Sequence, residues 1–214
     1  MTQIYLIRHG ETEWNATRRI QGHTDSPLTE LGMLQAAQVG QYLAEEGIGK
    51  IISSDLGRAQ QTAARIAEQC CCTVRTDSRL REMNMGVLEA RAMHELTAEE
   101  HSWRQRILDG TPHGCIPQGE TLQQVSLRMR AVLDEFSVSG LGKIAFVSHG
   151  IALGSLIGNV IGLPAHAERR FRLRNCSVSV LEFQDNDWLA SGWVVERLGD
   201  THHLLLPALD EIQR

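Results

Sequence analysis

Short apolar runs alternate along this chain with helix-period segments, and each run ends in polar, glycine-bearing sequence. Residues 3–7 (QIYLI) stop at Arg8, and the polar HGETEWNATRRIQGHTDSP that follows predicts a strand leading into a long loop punctuated by Pro27. Thr29 is placed to cap a helix carrying Leu31, Leu34, Ala37 and Leu43 on one side, with Gly47 as its stop. Ile51 and Ile52 predict a second strand, after which Ser54 or Asp55 is positioned to cap a helix holding Ala59, Ala63, Ile66 and Ala67, with Arg58 in its first turn. Residues 79–95 have no clean period and read as loop with some helix. Thr97 with Glu100, and Thr121 with Gln124, each fit a capping box, and Leu122, Val125, Met129, Val132, Leu133 and Phe136 stay in helical register after the second. Residues 144–147 form another apolar strand ending at His149-Gly150, and β-rich segments 177–183 and 188–198 close the pattern. Strands alternating with helices predict an α/β layer architecture, and no repeat or linker divides the single domain expected over 1–214.

Composition narrows the class. At 214 residues with 42% apolar and 22% charged positions, the chain is globular and removes roughly 70% of its unfolded surface from water. A net charge of −5 argues against nucleic-acid and anionic-membrane partners, so an anion site has to be local. The segment Gly150 to Pro164 contains four glycines and Asn159 and is shorter than the roughly 18 apolar residues of a spanning helix. Too few apolar residues precede Arg8 for a signal-peptide core, which gives a cytoplasmic expectation. Five cysteines, three of them consecutive at Cys70, Cys71 and Cys72, lack disulfide or zinc spacing and read as reduced, partly buried thiols. Glu168 to Arg174 (ERRFRLR) reads as an edge strand with solvated charges, His202-His203 as a surface pair, and Trp103, Trp188 and Trp193 as packing residues.

Three strand ends carry the chemistry: Arg8-His9-Gly10, Ser53-Ser54-Asp55 leading to Arg58, and Ser148-His149-Gly150. Ligands of open α/β sheets bind at such carboxyl ends. Two arginines and two histidines at one rim suit a phosphoryl group, whose oxygens a guanidinium binds bidentately. Gly10 and Gly150 are expected to admit the backbone to the same oxygens, with helix amino-termini after Asp55 and Gly150 adding dipoles. Phosphate binding alone needs no histidine; an imidazole that accepts the phosphoryl group covalently divides one displacement into two. Glu82, Glu11, Glu13 and Asp55 are open as the acid for the leaving alcohol, and the residues alone do not rank them.

The segments LIRHGETEWN, RIQGHTDSPLTELG, SSDLGRAQQTA, LREMNMG and FVSHG, in this order over nearly the whole chain, resemble the histidine phosphatase superfamily in its phosphoglycerate-mutase branch. GLPAHAERRFRLRNCSVSVLEF and ASGWVVERLGD are similar to the shorter bacterial proteins of that branch. The resemblance implies a three-layer αβα sandwich with a mostly parallel sheet, His9 as the nucleophile that becomes phosphohistidine, Arg8, Arg58 and His149 as the rest of the phosphate pocket, and Glu82 as proton donor and acceptor. It also implies substrate contacts at Asn15, Gln21, Gly22, Asn84, Arg104, Gly150 and Ile151, and no metal. Gln60 counts among these substrate-side positions although many relatives carry a basic residue there. The segment from Val87 to Gly119 is a short lid beside the longer insertion of bisphosphoglycerate-dependent mutases. Two activities on a small phosphorylated metabolite share this machinery: phosphoglycerate mutase, primed by 2,3-bisphosphoglycerate, and a phosphomonoesterase that needs no cofactor. A mutase must keep water off phosphohistidine, so a shorter lid favours hydrolysis. A non-catalytic phosphate-sensing module is the reading from another class, and the oligomeric state is open, a homodimer included. Replacing His9 by Ala abolishes turnover on this reading; a steady-state assay with any accepted phosphomonoester checks it, and retained activity rules out the covalent route.

Overall fold

The computed structural model describes residues 1–111, 114–138, 140–167, 170–186 and 189–206. Its strands are β1 (Thr2–Arg8), β2 (Lys50–Ser53), β3 (Val74–Thr76), β4 (Gly142–Ser148), β5 (Val178–Asn186) and β6 (Leu189–Asp200), and its α-helices among these residues are α1 (Glu13–Ala16), α2 (Glu30–Glu46), α3 (Gly57–Cys70), α4 (Ala98–Leu108), α5 (Leu122–Asp134) and α6 (Gly150–Val160). The strands form one sheet in the order β3-β2-β4-β1-β5-β6. The first four run parallel, whereas β5 pairs antiparallel to both β1 and β6.

Side-chain alternation along the strands assigns the two faces. Ile4, Leu6, Ile52, Ile144, Phe146 and Leu181 point into one apolar layer shared with Val125, Met129 and Val132 of α5 and Leu153 and Leu156 of α6. Tyr5, Ile7, Ile51, Ala145, Val147 and Val180 point into the other, against Val39 and Leu43 of α2 and Ala59, Ala63 and Ile66 of α3. The sheet is therefore covered on both sides, which is why its central strands read as continuous apolar runs. The chain leaves β1 toward β2 over the α2 face and leaves β4 toward β5 over the α6 face. Because β1 and β4 are neighbours, their carboxyl ends diverge and open a crevice between them, the topological switch point of such sheets.

Local signals set most element ends. Thr29 caps α2 by accepting the Gly32 amide at 2.9 Å, and Gly47 ends it in the left-handed conformation at φ 76°. Thr97 with Glu100 and Thr121 with Gln124 form the expected capping boxes of α4 and α5. The α3 cap departs from expectation. Its N-cap is Leu56, with no side-chain cap of its own, and the amide of Arg58 is taken instead by the Asp25 carboxylate at 3.2 and 3.3 Å. β3 gave no sequence signal, being three exposed residues held by pairing to β2. Residues 170–174 of the basic run are irregular rather than an edge strand, with Leu173 buried; Glu168 and Arg169 lie outside the described residues, as does Trp188. His203 is not at the surface as expected: it is half-buried, stacked on Tyr42 at 5.2 Å between ring centroids.

The start of α2 presses on the loop after β1. A Cβ on Gly32 would lie 2.0 Å from the Glu11 carbonyl oxygen, and one on Gly10 would lie 2.5 Å from the Gly32 carbonyl oxygen. Both obstacles are backbone, so neither yields by rotating a side chain. Gly32→Ala accordingly costs at least about 1–3 kcal/mol of overpacking; urea denaturation detects it as a lowered midpoint with an unchanged slope.

Candidate active site

His9 sits one residue beyond β1, with its backbone N–H donated to the Ser148 carbonyl at 3.0 Å, so the ends of β1 and β4 are stitched in register where Arg8 faces Ser148. The ring Nδ1 lies 2.8 Å from the Gly10 carbonyl oxygen. A carbonyl only accepts, so Nδ1 carries the hydrogen and Nε2 keeps its lone pair. The His149 ring is 5.1 Å away, centroid to centroid, with its Nε2 2.9 Å from the Ser54 hydroxyl and its buried Nδ1 without a partner among the described residues. Both imidazoles are held well below the ordinary value of 6.5, first by burial and then by the positive charge of Arg58, with Arg8 adding to it. Each is a neutral base at pH 7.

The two guanidiniums are almost wholly buried, each about 1% exposed. Arg8 donates Nη1 to the Leu173 carbonyl at 2.7 Å. Arg58 gives Nη2 to the Gly22 carbonyl at 2.7 Å and Nη1 to Thr24 O and the Asp25 carboxylate at 3.1 and 2.9 Å, and its buried Nε has no partner among the described residues. Gly22 is fixed from two sides, at φ 61° and with Met85 N only 2.9 Å from where a Cβ would stand. Gly10 does not serve the purpose the sequence suggested: its N–H is donated to the Thr62 hydroxyl at 3.0 Å, and its missing side chain makes room for α2 rather than for a phosphate.

The four acid candidates separate once the chain is folded. Asp55 is tied to Arg81 by two bonds of 2.7 and 2.6 Å, which hold its carboxyl below the ordinary range. Glu11 accepts the Thr29 hydroxyl at 2.9 Å, and Glu13 is exposed in the first turn of α1. Glu82 alone of the four lines the cavity beside Arg8 and Arg58. Its carboxylate accepts the amides of Met83, Ala152 and Ile151 at 2.8, 2.9 and 3.1 Å, so it occupies the positive end of α6. Those two α6 amides are therefore engaged by the Glu82 carboxylate.

A cavity of about 770 Å³ opens above this group. Arg8, Asn15, Gln21, Gly22, Arg58, Glu82, Arg104 and Ile151 of the predicted set line it, and much of the remaining wall is apolar, including Trp14, Met85, Met93, Leu108 and Phe171. His9, His149, Gly150, Gln60 and Asn84 are not among the lining residues: the two imidazoles and Gly150 are buried, Gln60 is exposed with its amide on the Asp55 carbonyl at 2.6 Å, and the Asn84 side chain accepts the Gly86 amide at 2.8 Å. Gly150 lies at the first position of α6, and Ile151 meets Glu82 through its amide. Sequence reasoning missed Asn175, fully buried on the cavity wall, whose amide group donates to the His9 carbonyl at 3.0 Å and to Asn15 Oδ1 at 3.3 Å. It missed Ser54, Thr62 and Asp25 as partners of His149, Gly10 and Arg58 as well. No signal marks such residues, because each meets its partner only through the fold. Among the described residues no group of three or more His, Cys, Asp or Glu is arranged to hold a metal ion.

Two neutral imidazoles packed with two buried arginines, with the Glu82 carboxylate on the wall of the adjoining cavity, make a cationic site suited to an anionic group. The model of the histidine phosphatase superfamily (branch 1) matches residues 4–196, and the chain belongs to that family. Relatives named "Probable phosphoglycerate mutase GpmB" from Photorhabdus laumondii and Yersinia pestis are 56% and 57% identical to it over 215 residues, covering 100% of both chains in each case. Among solved structures, Bacillus stearothermophilus YhfR superposes with a TM-score of 0.86 at 28% identity over 95% of this chain and 99% of its own. A mycobacterial glucosyl-3-phosphoglycerate phosphatase with VO3 gives 0.81 at 26% identity over 93% and 99%, and Entamoeba histolytica phosphoserine phosphatase with phosphoserine gives 0.81 at 30% over 96% and 100%.

The depressed basicity of His9 and His149 sets a pH dependence of stability. Above 6.5 both are neutral folded and unfolded; below it the unfolded chain takes up protons that the native state refuses. Stability therefore falls as pH drops below 6.5, by up to about 2.7 kcal/mol per pH unit for two such groups. Urea denaturation from pH 7.5 downward measures that slope, and replacing His149 by Asn reduces it.

Proposed function

We propose that this protein transfers the phosphoryl group of a small phosphomonoester through a phosphohistidine at His9. The observation that carries this reading is the His9 Nδ1 bond to the Gly10 carbonyl, which leaves Nε2 as a free base beside two buried guanidiniums. In the first step Nε2 attacks phosphorus, the bond from phosphorus to the leaving oxygen breaks, and Glu82 gives that oxygen its proton. Arg8, Arg58 and His149 Nδ1 hold the three equatorial oxygens while charge builds on them. In the second step Glu82 takes the proton of an incoming hydroxyl, which attacks phosphohistidine and restores His9. Asn15, Gln21 and Gly22 border the phosphate, and Arg104 and Ile151 face the rest of the substrate. The residues 87–119 act as a lid on a single cytoplasmic catalytic domain.

The names of the relatives, probable phosphoglycerate mutases, support interconversion of 3- and 2-phosphoglycerate as the reaction; on this reading 2,3-bisphosphoglycerate loads His9. Hydrolysis, with water as the second acceptor, is favoured by a separate observation: the cavity, about 770 Å³ and largely apolar on one side, is larger than a three-carbon acid fills and leaves room for water. No metal enters either route. Supplying 3-phosphoglycerate with a trace of 2,3-bisphosphoglycerate, and following 2-phosphoglycerate and free phosphate together, separates them. A mutase forms the isomer without phosphate release; a phosphatase releases phosphate without forming the isomer; neither product, together with no acid-labile phosphate on His9 across a panel of phosphomonoesters, removes the proposal.

A further inference from the structure

Glu82 is anchored by its carboxylate to α6, but its main chain is held from elsewhere. Arg128 projects from α5 and spends five bonds on this region. Nη1 donates to the carbonyls of Arg79 and Arg81 at 2.8 and 2.6 Å, Nη2 to the carbonyl of Glu82 and to Glu120 Oε2 at 2.8 and 2.9 Å, and Nε to Glu120 Oε1 at 2.9 Å. A guanidinium has five N–H groups, so every donor is matched. Glu120 Oε2 returns to the same segment by accepting the Asn84 amide at 2.8 Å. The Glu82 carbonyl also faces Nε2 of His23 at 2.9 Å, from the loop that binds Arg58. One guanidinium and its carboxylate thus fix the backbone before, at and after Glu82, and tie it to the phosphate-side loop.

Arg128 does not line the cavity, and its side chain is only 17% exposed. We propose that Arg128, supported by Glu120, is a positioning residue for the proton donor: it sets where the Glu82 carboxyl meets the leaving oxygen without touching substrate. This rests on Glu82 being the acid, as proposed above. The α6 amides orient the carboxyl group, and Arg128 fixes the main chain from which it hangs; a shift of about 1 Å there costs on the order of 10²-fold in a proton-transfer step. Lysine retains the charge but has three donors in tetrahedral array, and so cannot reproduce a planar five-bond pattern.

The test compares turnover of 3-phosphoglycerate, as total phosphoryl transfer, with that of p-nitrophenyl phosphate, whose leaving group needs no acid. The variants are R128K, R128M, E82Q and the double variant E82Q/R128M. R128M and R128K are expected to lower kcat on 3-phosphoglycerate by about 10²-fold and on the aryl phosphate by less than about threefold, with KM for both changed little. The double variant is expected to be no slower than E82Q, because a misplaced acid and an absent acid lose the same function. Equal losses on the two substrates, or additive losses in the double variant, overturn the positioning role. Should R128M fail to fold, as a thermal melt would reveal, R128K decides alone. If E82Q itself treats both substrates alike, the acid assignment falls and this inference falls with it. If E82Q discriminates and R128M does not, only the positioning role falls.

Discussion

Two guanidiniums held out of water next to two uncharged imidazoles are the constraint around which this molecule is organised. Burying a cation is costly even when it is partnered, and the cost is borne by the apolar layers on both faces of the sheet. Backbone carbonyls of Leu173, Gly22 and Thr24, with the Asp25 carboxylate on Arg58, take part of each guanidinium's hydrogen bonding. What remains is a concentrated positive field that a phosphate dianion satisfies better than any neutral ligand. Burial first, and then the positive charge of the arginines, keep His9 and His149 deprotonated, so the groups that favour an anion also leave both imidazoles as free bases.

Placement of these groups follows from the switch point between β1 and β4. Arg8 and Ser148 share a register position, and the His9 amide crosses to β4, so the two histidines cannot shift relative to one another without breaking the central parallel pair. The Glu82 carboxylate on the cavity wall is placed by a different device. Glu82 comes from a segment of little regular structure and is held by the positive end of α6, by Arg128 and by His23. His9 is held because its strand is central, whereas Glu82 is held because side chains from other elements clamp its loop.

Much of this was legible in the sequence, for local reasons. Apolar and β-rich runs exposed β1, β2, β4, β5 and β6 before any pairing was known, and the caps at Thr29, Thr97 and Thr121 act within three residues of themselves. Arg8, His9, Arg58 and His149 stood out at strand ends and helix starts from short contiguous sequence, and Glu82 was singled out only by the resemblance of LREMNMG to the family. The failures are non-local. Asp25 caps α3 from 33 positions away, displacing the nearer Ser54 and Asp55. Gln60 and Asn84, adjacent in sequence to functional positions, are turned into other hydrogen bonds. The run at 170–174 has the alternation of a strand, but the Leu173 carbonyl is taken by Arg8.

The sequence by itself determined the α/β class, the strand ends that carry the chemistry, and the kind of group they handle, because residue type and short-range spacing fix backbone conformation and donor chemistry. Only the tertiary structure decided which of four carboxylates faces the arginines, which ring nitrogen of His9 is free, that Asn175 lines the cavity, and that Arg128 binds the main chain around Glu82. Those are matters of direction and distance between elements far apart in the chain, and they exist only once the sheet and its two helical layers have closed.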